Sequence, residues 1–188
     1  MRQTASWLPR RGTARQLARV LTSVLAVLAP ASALSAELTP KDVQIIGRAL
    51  AFVENPPTGT VRLGIVFSPS IPISAQQANS LQALLADGVT VGKVTLLPTL
   101  IPVDRLFVAD DLGAVFVTSG LGTPGPALTE AARRRLPIFS TDIACVNAGH
   151  CLLGFRSEPT VEIVISKTAS EVSGVSFTPA FRMLVKEH

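Results

Sequence analysis

The sequence predicts a single α/β domain with a mainly parallel sheet that is covered by helices on both faces. Two observations carry this prediction. Segments with strand character alternate with segments of helical spacing along residues 37–188. Several strand segments are almost continuously apolar, as in residues 114–119, which is typical of strands buried on both faces. About 150 residues are also enough for one domain with its own hydrophobic core.

Capping and turn residues set the elements that we expect in the first half of the domain. Thr39 is a candidate N-cap with Pro40 at the first helical position. Ser74 is expected to cap a second helix, and Gly88 follows its end. The predicted elements are a helix over 41–54, a strand over 61–67, a helix over 74–86, a strand around 93–97 and an extended stretch near 106–108.

The second half continues the alternation and then closes on a hairpin and a helix. A turn at Ser157-Glu158-Pro159 separates the two hairpin strands, and Thr178 is a candidate cap for the last helix. The predicted elements are a strand over 114–119, a helix over 126–135, a strand over 137–141, hairpin strands over 151–156 and 160–166, and a closing helix over 179–186. This order of elements predicts a Rossmann-like or flavodoxin-like fold.

Polar and glycine residues follow the predicted strands, where ligands of parallel sheets bind. The candidate ligand-loop residues are Ser68, Ser70, Ser119, Gly120, Gly122, Thr123 and Asp142. Residues 120–125 match the G-x-G-x-x-G pattern of dinucleotide-binding loops. Pro124 and Pro126 each remove a backbone donor from that loop, which favours a small-ligand contact or a simple turn over a dinucleotide site. We therefore expect no cofactor.

Residues 1–36 resemble a secretory signal peptide. They hold five arginines and no acidic residue, followed by an apolar run of about ten residues, Pro30 and small residues. The run is too short for a membrane span, which needs roughly 20 apolar residues, so we favour a cleaved signal over an uncleaved anchor. Ala33 and Ala36 are the candidate cleavage sites. Twin-arginine export at Arg10-Arg11 is a further alternative, and the expected location is the periplasm.

The net positive charge of the chain comes from that signal. Residues 37–188 contain 12 Lys and Arg against 13 Asp and Glu, so the domain lacks the basic surface that nucleic-acid binding requires. A run of three arginines, Arg133, Arg134 and Arg135, ends a predicted helix and is a candidate docking surface for an acidic partner. His150 is the only internal base for serine chemistry and no G-x-S-x-G motif is present, so we expect no enzyme.

Cys145 and Cys151 are the only cysteines of the chain. In an exported protein an even count favours a disulfide between them. Free or redox-active thiols are one alternative. A metal site with His150 is another, although adjacent residues 150 and 151 seldom bind one tetrahedral ion and no fourth ligand is evident, so we expect no metal.

Three segments together resemble the YfiR-like family of periplasmic proteins. They are the helix and strand over 45–67, with Asn55 where tryptophan is common, the stretch LPIFSTDIACVNAGHCLLGF over 136–155, and the closing part over 161–185. The resemblance implies a non-enzymatic regulator that binds a membrane-anchored signalling protein, such as a diguanylate cyclase or a sensor kinase. A second copy of the chain is a further expected partner.

A second resemblance concerns one lobe of the substrate-binding proteins of ABC transporters. The segment LPIFSTDIACVNAG over 136–149 is similar to a strand and the following helix of such a lobe. This resemblance implies a small ligand. The length of the chain suffices for one lobe only, whereas transporter receptors normally enclose their ligand between two.

Overall fold

The structure is a computed structural model that describes residues 37–122 and 125–188, without the side chains of residues 107 and 108. The predicted signal, its cleavage sites at Ala33 and Ala36, and Thr123 lie outside the described residues. The strands are β1 (Gly59–Phe67), β2 (Val89–Val91), β3 (Val94–Pro102), β4 (Ala114–Val117), β5 (Ile138–Ser140), β6 (Leu153–Arg156), β7 (Glu162–Ile165) and β8 (Lys186–Glu187).

The described residues also form six α-helices and one 3₁₀ helix, of which the first α-helix precedes the first of these strands. The α-helices are α1 (Pro40–Leu50), α2 (Pro72–Leu84), α3 (Gly125–Arg133), α4 (Ile143–Asn147), α5 (Lys167–Ser173) and α6 (Pro179–Arg182). The 3₁₀ helix spans Val103–Val108. Within the described residues, no helix combines the length and the apolar character that a membrane span requires.

The eight strands form one sheet in the order β2-β3-β1-β4-β5-β6-β7-β8. The central five strands, β3, β1, β4, β5 and β6, run parallel. Strands β2 and β7 are antiparallel to their inner neighbours, and β8 is parallel to β7. The predicted single α/β domain with a mainly parallel sheet is therefore confirmed.

Alternating side chains of the central strands point into two separate cores. Leu63, Ile65 and Phe116 belong to the core beneath α1 and α2, whereas Val66 and Val117 belong to the core beneath α3, α4 and the 3₁₀ helix. All five side chains are almost fully buried. Because β1 and β4 are apolar on both faces, they can occupy the centre of the sheet.

The start of α2 differs from the prediction. Ser74 is not the N-cap, because the helix already begins at Pro72, whose fixed backbone angle suits the first helical turn. Ile71 occupies the cap position. Ser74 is instead fully buried inside the helix, where its hydroxyl bonds the ends of two strands.

Further differences concern short elements. The stretch predicted as extended near 106–108 is the 3₁₀ helix, β2 and β3 form an antiparallel hairpin at the edge, and α5 was not predicted. Thr178 does stand at the N-cap of α6, but that helix ends at Arg182 and the chain then adds β8. The predicted hairpin is confirmed as β6 and β7.

Candidate functional site

The order in which the chain adds strands to the sheet changes side between β1 and β4. These strands are neighbours, but β1 leads through α2 towards β3 on one side, whereas β4 leads through α3 towards β5 on the other. Open α/β sheets bind ligands at the carboxyl ends of strands where such a switch occurs. The predicted ligand residues Ser68, Ser70, Ser119 and Gly120 follow β1 and β4 and so lie at this position.

Hydroxyl groups tie the ends of β1 and β4 together. Thr118 Oγ1 donates to the carbonyl of Val66 at 3.0 Å, so the 2.6 Å contact between Ser74 and Thr118 has Ser74 as its donor. Ser74 Oγ also accepts the backbone N–H of Ser68 at 2.9 Å. The Ser68 and Ser70 hydroxyls lie 2.8 Å apart, and one donates a hydrogen bond to the other. These hydroxyl groups are therefore bonded within the protein and fix the ends of β1 and β4 in position.

Gln77 of α2 organises the polar groups that follow β4 and β5. Its Oε1 accepts the backbone N–H of Ser119 at 2.8 Å, which fixes the orientation of the amide. Nε2 then points to Thr141 Oγ1 at 3.5 Å, and the Ser119 and Thr141 hydroxyls are 3.3 Å apart. Gln77 is buried, and this arrangement presents an N–H and two hydroxyls on one surface.

A cavity of about 200 Å³ opens beside these groups. Its polar floor is the set Gln77, Ser119 and Thr141, and its apolar wall consists of Leu38, Ile73 and Phe155. We call this space the edge cavity. It lies on the α1 and α2 side of the sheet, across the carboxyl ends of β4, β5 and β6.

Charged residues surround the mouth of the edge cavity. Glu37, Arg156 and Glu158 line it and are exposed, whereas Asp42 of α1 lines it and is buried. Lys41 Nζ donates to the Ser157 carbonyl at 2.7 Å and lies 3.4 Å from Glu158 Oε1. This contact fixes the β6–β7 turn against the start of α1 and forms one side of the mouth.

The glycine motif after β4 begins in a turn at residues 119 and 120. Gly120 and Gly122 have φ angles of 82° and 63°, which favour glycine, and an added Cβ at Gly120 would lie 3.1 Å from Ile73. Asp142 caps α4, since its Oδ1 accepts the N–H of Ala144 at 2.9 Å. These residues lie at the edge of the site. The Asp142 carboxylate is bonded to the start of α4, and Asp142 is not part of the cavity lining.

The three arginines do not form one uniform surface. Helix α3 ends at Arg133, two residues before the predicted end. Arg133 is exposed and pairs with Glu130 at 2.8 Å, whereas half-buried Arg134 pairs with Glu130 at 2.8 Å and also donates to the Ala109 carbonyl. Arg135 adopts a positive φ of 55° past the helix end.

Cys145 and Cys151 form the predicted disulfide, with their Cα atoms 5.3 Å apart. It joins α4 to the start of β6, and both cysteines are buried. His150 is half-buried beside it. No cluster of three or more metal-ligating side chains is found among residues 37–122 and 125–188.

The sequence analysis identified Ser119 of the floor of the edge cavity, but it missed Gln77, Thr141 and the residues of the inner wall. Gln77 carried a usable signal, because it lies on the face of α2 that also presents Ser74, Ala78 and Leu81 to the core. A polar residue at a core position of an amphipathic helix needs a partner. Asp42 could be recognised only as an acidic residue in a first helical turn.

Comparisons with known proteins show similarity of fold. No family model matches the chain, and no curated protein matches it. A conserved domain protein of Vibrio cholerae has a TM-score of 0.53 at 16% identity, over 80% of this chain and 60% of that one. An ABC domain of Streptococcus pneumoniae in complex with L-Trp has a TM-score of 0.54 at 14% identity, over 79% and 59%.

The chain thus spans about three fifths of the length of these two structures. The similarity fits the predicted α/β fold, and it agrees in part with the resemblance to a transporter-related lobe. The YfiR-like resemblance receives no support from these matches and stays a prediction.

Proposed function

We propose that the protein is an exported single-lobe module that binds a small molecule in the edge cavity. The observation that carries this proposal is the cavity itself, which places buried polar groups beside an apolar wall at the carboxyl ends of three parallel strands. Binding sites of this kind are concave and largely apolar, with a few polar groups that fix the ligand. The similar ABC domain was solved with L-Trp, which supports a small ligand as the class to test.

A thermal-shift screen tests this function. The purified protein is heated with amino acids, sugars, organic acids and nucleosides, and a ligand of the folded state raises the melting temperature with concentration. A change of Ile73 to Arg, which places a bulky charge in the wall of the cavity, should abolish the shift. The matched control is Leu97→Arg, at a partly exposed residue of β3 away from the cavity. If no class of small molecule raises the melting temperature, the proposal is wrong.

Export is part of the proposal and has its own test. Protein isolated from a periplasmic extract should begin at Leu34 or Glu37, as cleavage after Ala33 or Ala36 requires. Soluble cytoplasmic protein with an intact Met1 would contradict this location.

A second function, regulation of a membrane partner, is favoured by a separate observation. Met183 and Leu184 are 87% and 79% exposed and lie shortly before the edge strand β8, from which Val185 separates them. Exposed apolar residues beside an open sheet edge are typical of protein-binding surfaces. In this reading the protein resembles the YfiR-like regulators and binds a membrane-anchored signalling protein without catalysing a reaction.

The second function predicts a specific loss of binding. Changing Met183 and Leu184 to Asp should abolish capture of a single-pass signalling protein from detergent-solubilised membranes without lowering the melting temperature. The matched control is Val161→Asp, which also changes an exposed apolar residue but lies in the β6–β7 hairpin. Equal capture by the wild type and by the double variant would exclude this surface.

A further inference from the structure

We propose that the edge cavity recognises a small α-amino acid with an apolar side chain. This inference rests on the proposed function and names the ligand class of the same site. It follows from three surfaces that meet in the cavity: a donor surface at Gln77, Ser119 and Thr141, an acceptor at Asp42, and the apolar wall.

The donor surface suits the carboxylate of such a ligand. Gln77 Oε1 accepts the Ser119 N–H at 2.8 Å, which orients the amide with its Nε2 on the side of Thr141, another residue that lines the cavity. One hydrogen of Nε2 faces Thr141 Oγ1 at a long 3.5 Å, and the second has no acceptor within the described residues. Together with the two hydroxyls, Gln77 offers hydrogen bonds to oxygen atoms that carry negative charge.

Asp42 suits the ammonium group. Its Oδ2 accepts the N–H and the hydroxyl of Thr39 at 2.6 Å and 2.9 Å, whereas its Oδ1 accepts no hydrogen bond from the described part of the chain. The residue is only 3% exposed, and it lines the cavity. Asp42 has no basic partner among the described residues, and a ligand cation at Oδ1 would supply one.

Two of the three other charges at the mouth already have partners on the protein. Glu158 lies 3.4 Å from Lys41, and Arg156 lies 3.9 Å from Glu162. Neither Glu37 nor Asp42 forms an ion pair among the described residues. Glu37 is exposed to solvent, whereas Asp42 is buried, so Asp42 is the group whose charge a ligand would match.

The size of the cavity limits the ligand. Its volume of about 200 Å³ is below the roughly 300–1,000 Å³ of pockets for drug-sized molecules. Leu38, Ile73 and Phe155 provide an apolar surface for one short side chain. An aliphatic amino acid such as leucine therefore matches the cavity in charge, polarity and size.

A set of three related probes tests this inference on the unmodified protein. L-leucine carries both charged groups, 4-methylpentanoate lacks the ammonium group, and 3-methylbutylamine lacks the carboxylate. Binding is measured by calorimetry and by melting temperature. We expect L-leucine to bind at least tenfold more tightly than either analogue, because each analogue loses one charge-assisted contact.

Two isosteric variants assign the contacts. Gln77→Glu keeps an oxygen for the Ser119 N–H but replaces the donor by a negative oxygen. It should therefore weaken L-leucine about tenfold or more and should not weaken 3-methylbutylamine, whose ammonium group the new charge attracts. Asp42→Asn keeps an acceptor for Thr39 and removes the charge, so it should weaken L-leucine but not 4-methylpentanoate. Glu162→Gln, outside the cavity, is the control and should leave all three probes unchanged.

The possible results separate the inference from the proposed function. If both analogues bind as well as L-leucine, or if only uncharged probes such as sugars bind, the amino-acid inference is overturned and the small-molecule function stands. If no probe of any class binds the wild-type protein, both are overturned.

Discussion

At the scale of single residues, Arg134 shows why neighbouring charges of one sign differ in role. Arg133 and Arg134 both pair with Glu130, but only Arg134 also donates to the carbonyl of Ala109, which follows the 3₁₀ helix. The side chain of Arg134 is 27% exposed and that of Arg133 is 75% exposed. Arg134 therefore connects α3 to another part of the second core, whereas Arg133 belongs to the surface.

This difference predicts unequal effects of the two alanine variants. Arg134→Ala should lower the melting temperature by about 2–4 °C, the shift expected from the loss of one net hydrogen bond in a domain of this size. Arg133→Ala should change it by less than 1 °C, because exposed ion pairs contribute little. Thermal unfolding followed by circular dichroism measures both. Equal shifts would mean that the Ala109 contact does not stabilise the fold.

The same cluster predicts a dependence of stability on pH. The hydrogen bond from Arg134, together with the charges of both arginines, lowers the pKa of Glu130 below its ordinary value of 4.5. The folded state therefore gains stability from this carboxylate above pH 4.5, and the gain is lost as the pH falls through the lowered pKa. Glu130→Gln should therefore lose less free energy of unfolding between pH 7 and pH 3 than the wild type. Chemical denaturation at a series of pH values in this range measures the difference. An unchanged acid profile would contradict it.

At the scale of elements, one glycine sets the distance between α1 and the sheet. A Cβ added at Gly47 would lie 2.5 Å from Val91 Cβ, which is closer than two such atoms can approach. The overlap caused by Gly47→Ala should therefore destabilise the protein by about 1–3 kcal/mol. The better helix propensity of alanine, worth about 1 kcal/mol, should not fully offset this loss. Gly125→Ala is the matched control, because Gly125 also lies in a helix but has open space around it. Urea denaturation should give opposite or clearly unequal changes for the two variants.

The elements that could be predicted are those fixed by local signals. Thr39 and Pro40 mark the start of α1, and the apolar run of β1 marks a strand, because capping and hydrophobic patterning act within a few residues. The 3₁₀ helix over Val103–Val108 and the short strand β8 depend on neighbours that are distant in sequence. Their residues carry no pattern that distinguishes them from loops.

The position of the candidate site in the fold could be predicted from the sequence, but most of the residues that line its cavity could not. Parallel strands put Ser68 and Ser119 at the carboxyl edge, as the alternation of elements requires. The edge cavity also needs Asp42 from α1 and Phe155 from β6, which are far apart in the chain. Their meeting is a property of the tertiary structure, so no local pattern in the sequence could reveal it.

At the scale of the whole molecule, the disulfide should contribute measurably to stability. It closes a short ring between Cys145 and Cys151, for which chain-entropy estimates give roughly 2 kcal/mol. Reduction should therefore lower the melting temperature by about 4–8 °C. The Cys145→Ser and Cys151→Ser double variant should reproduce the reduced protein and be insensitive to reductant. Two alkylatable thiols in freshly isolated, unreduced protein would contradict the bridge.

The position of β1 in the middle of the sheet has a consequence for how the chain folds. Its partners are Val94–Pro102 on one side and Ala114–Val117 on the other, so its pairings join segments that are distant in sequence. Folds that depend on non-local pairing pay the entropy of loop closure first and fold slowly. Strand β1 therefore cannot pair with both of its neighbours until the chain has been synthesised as far as residue 117.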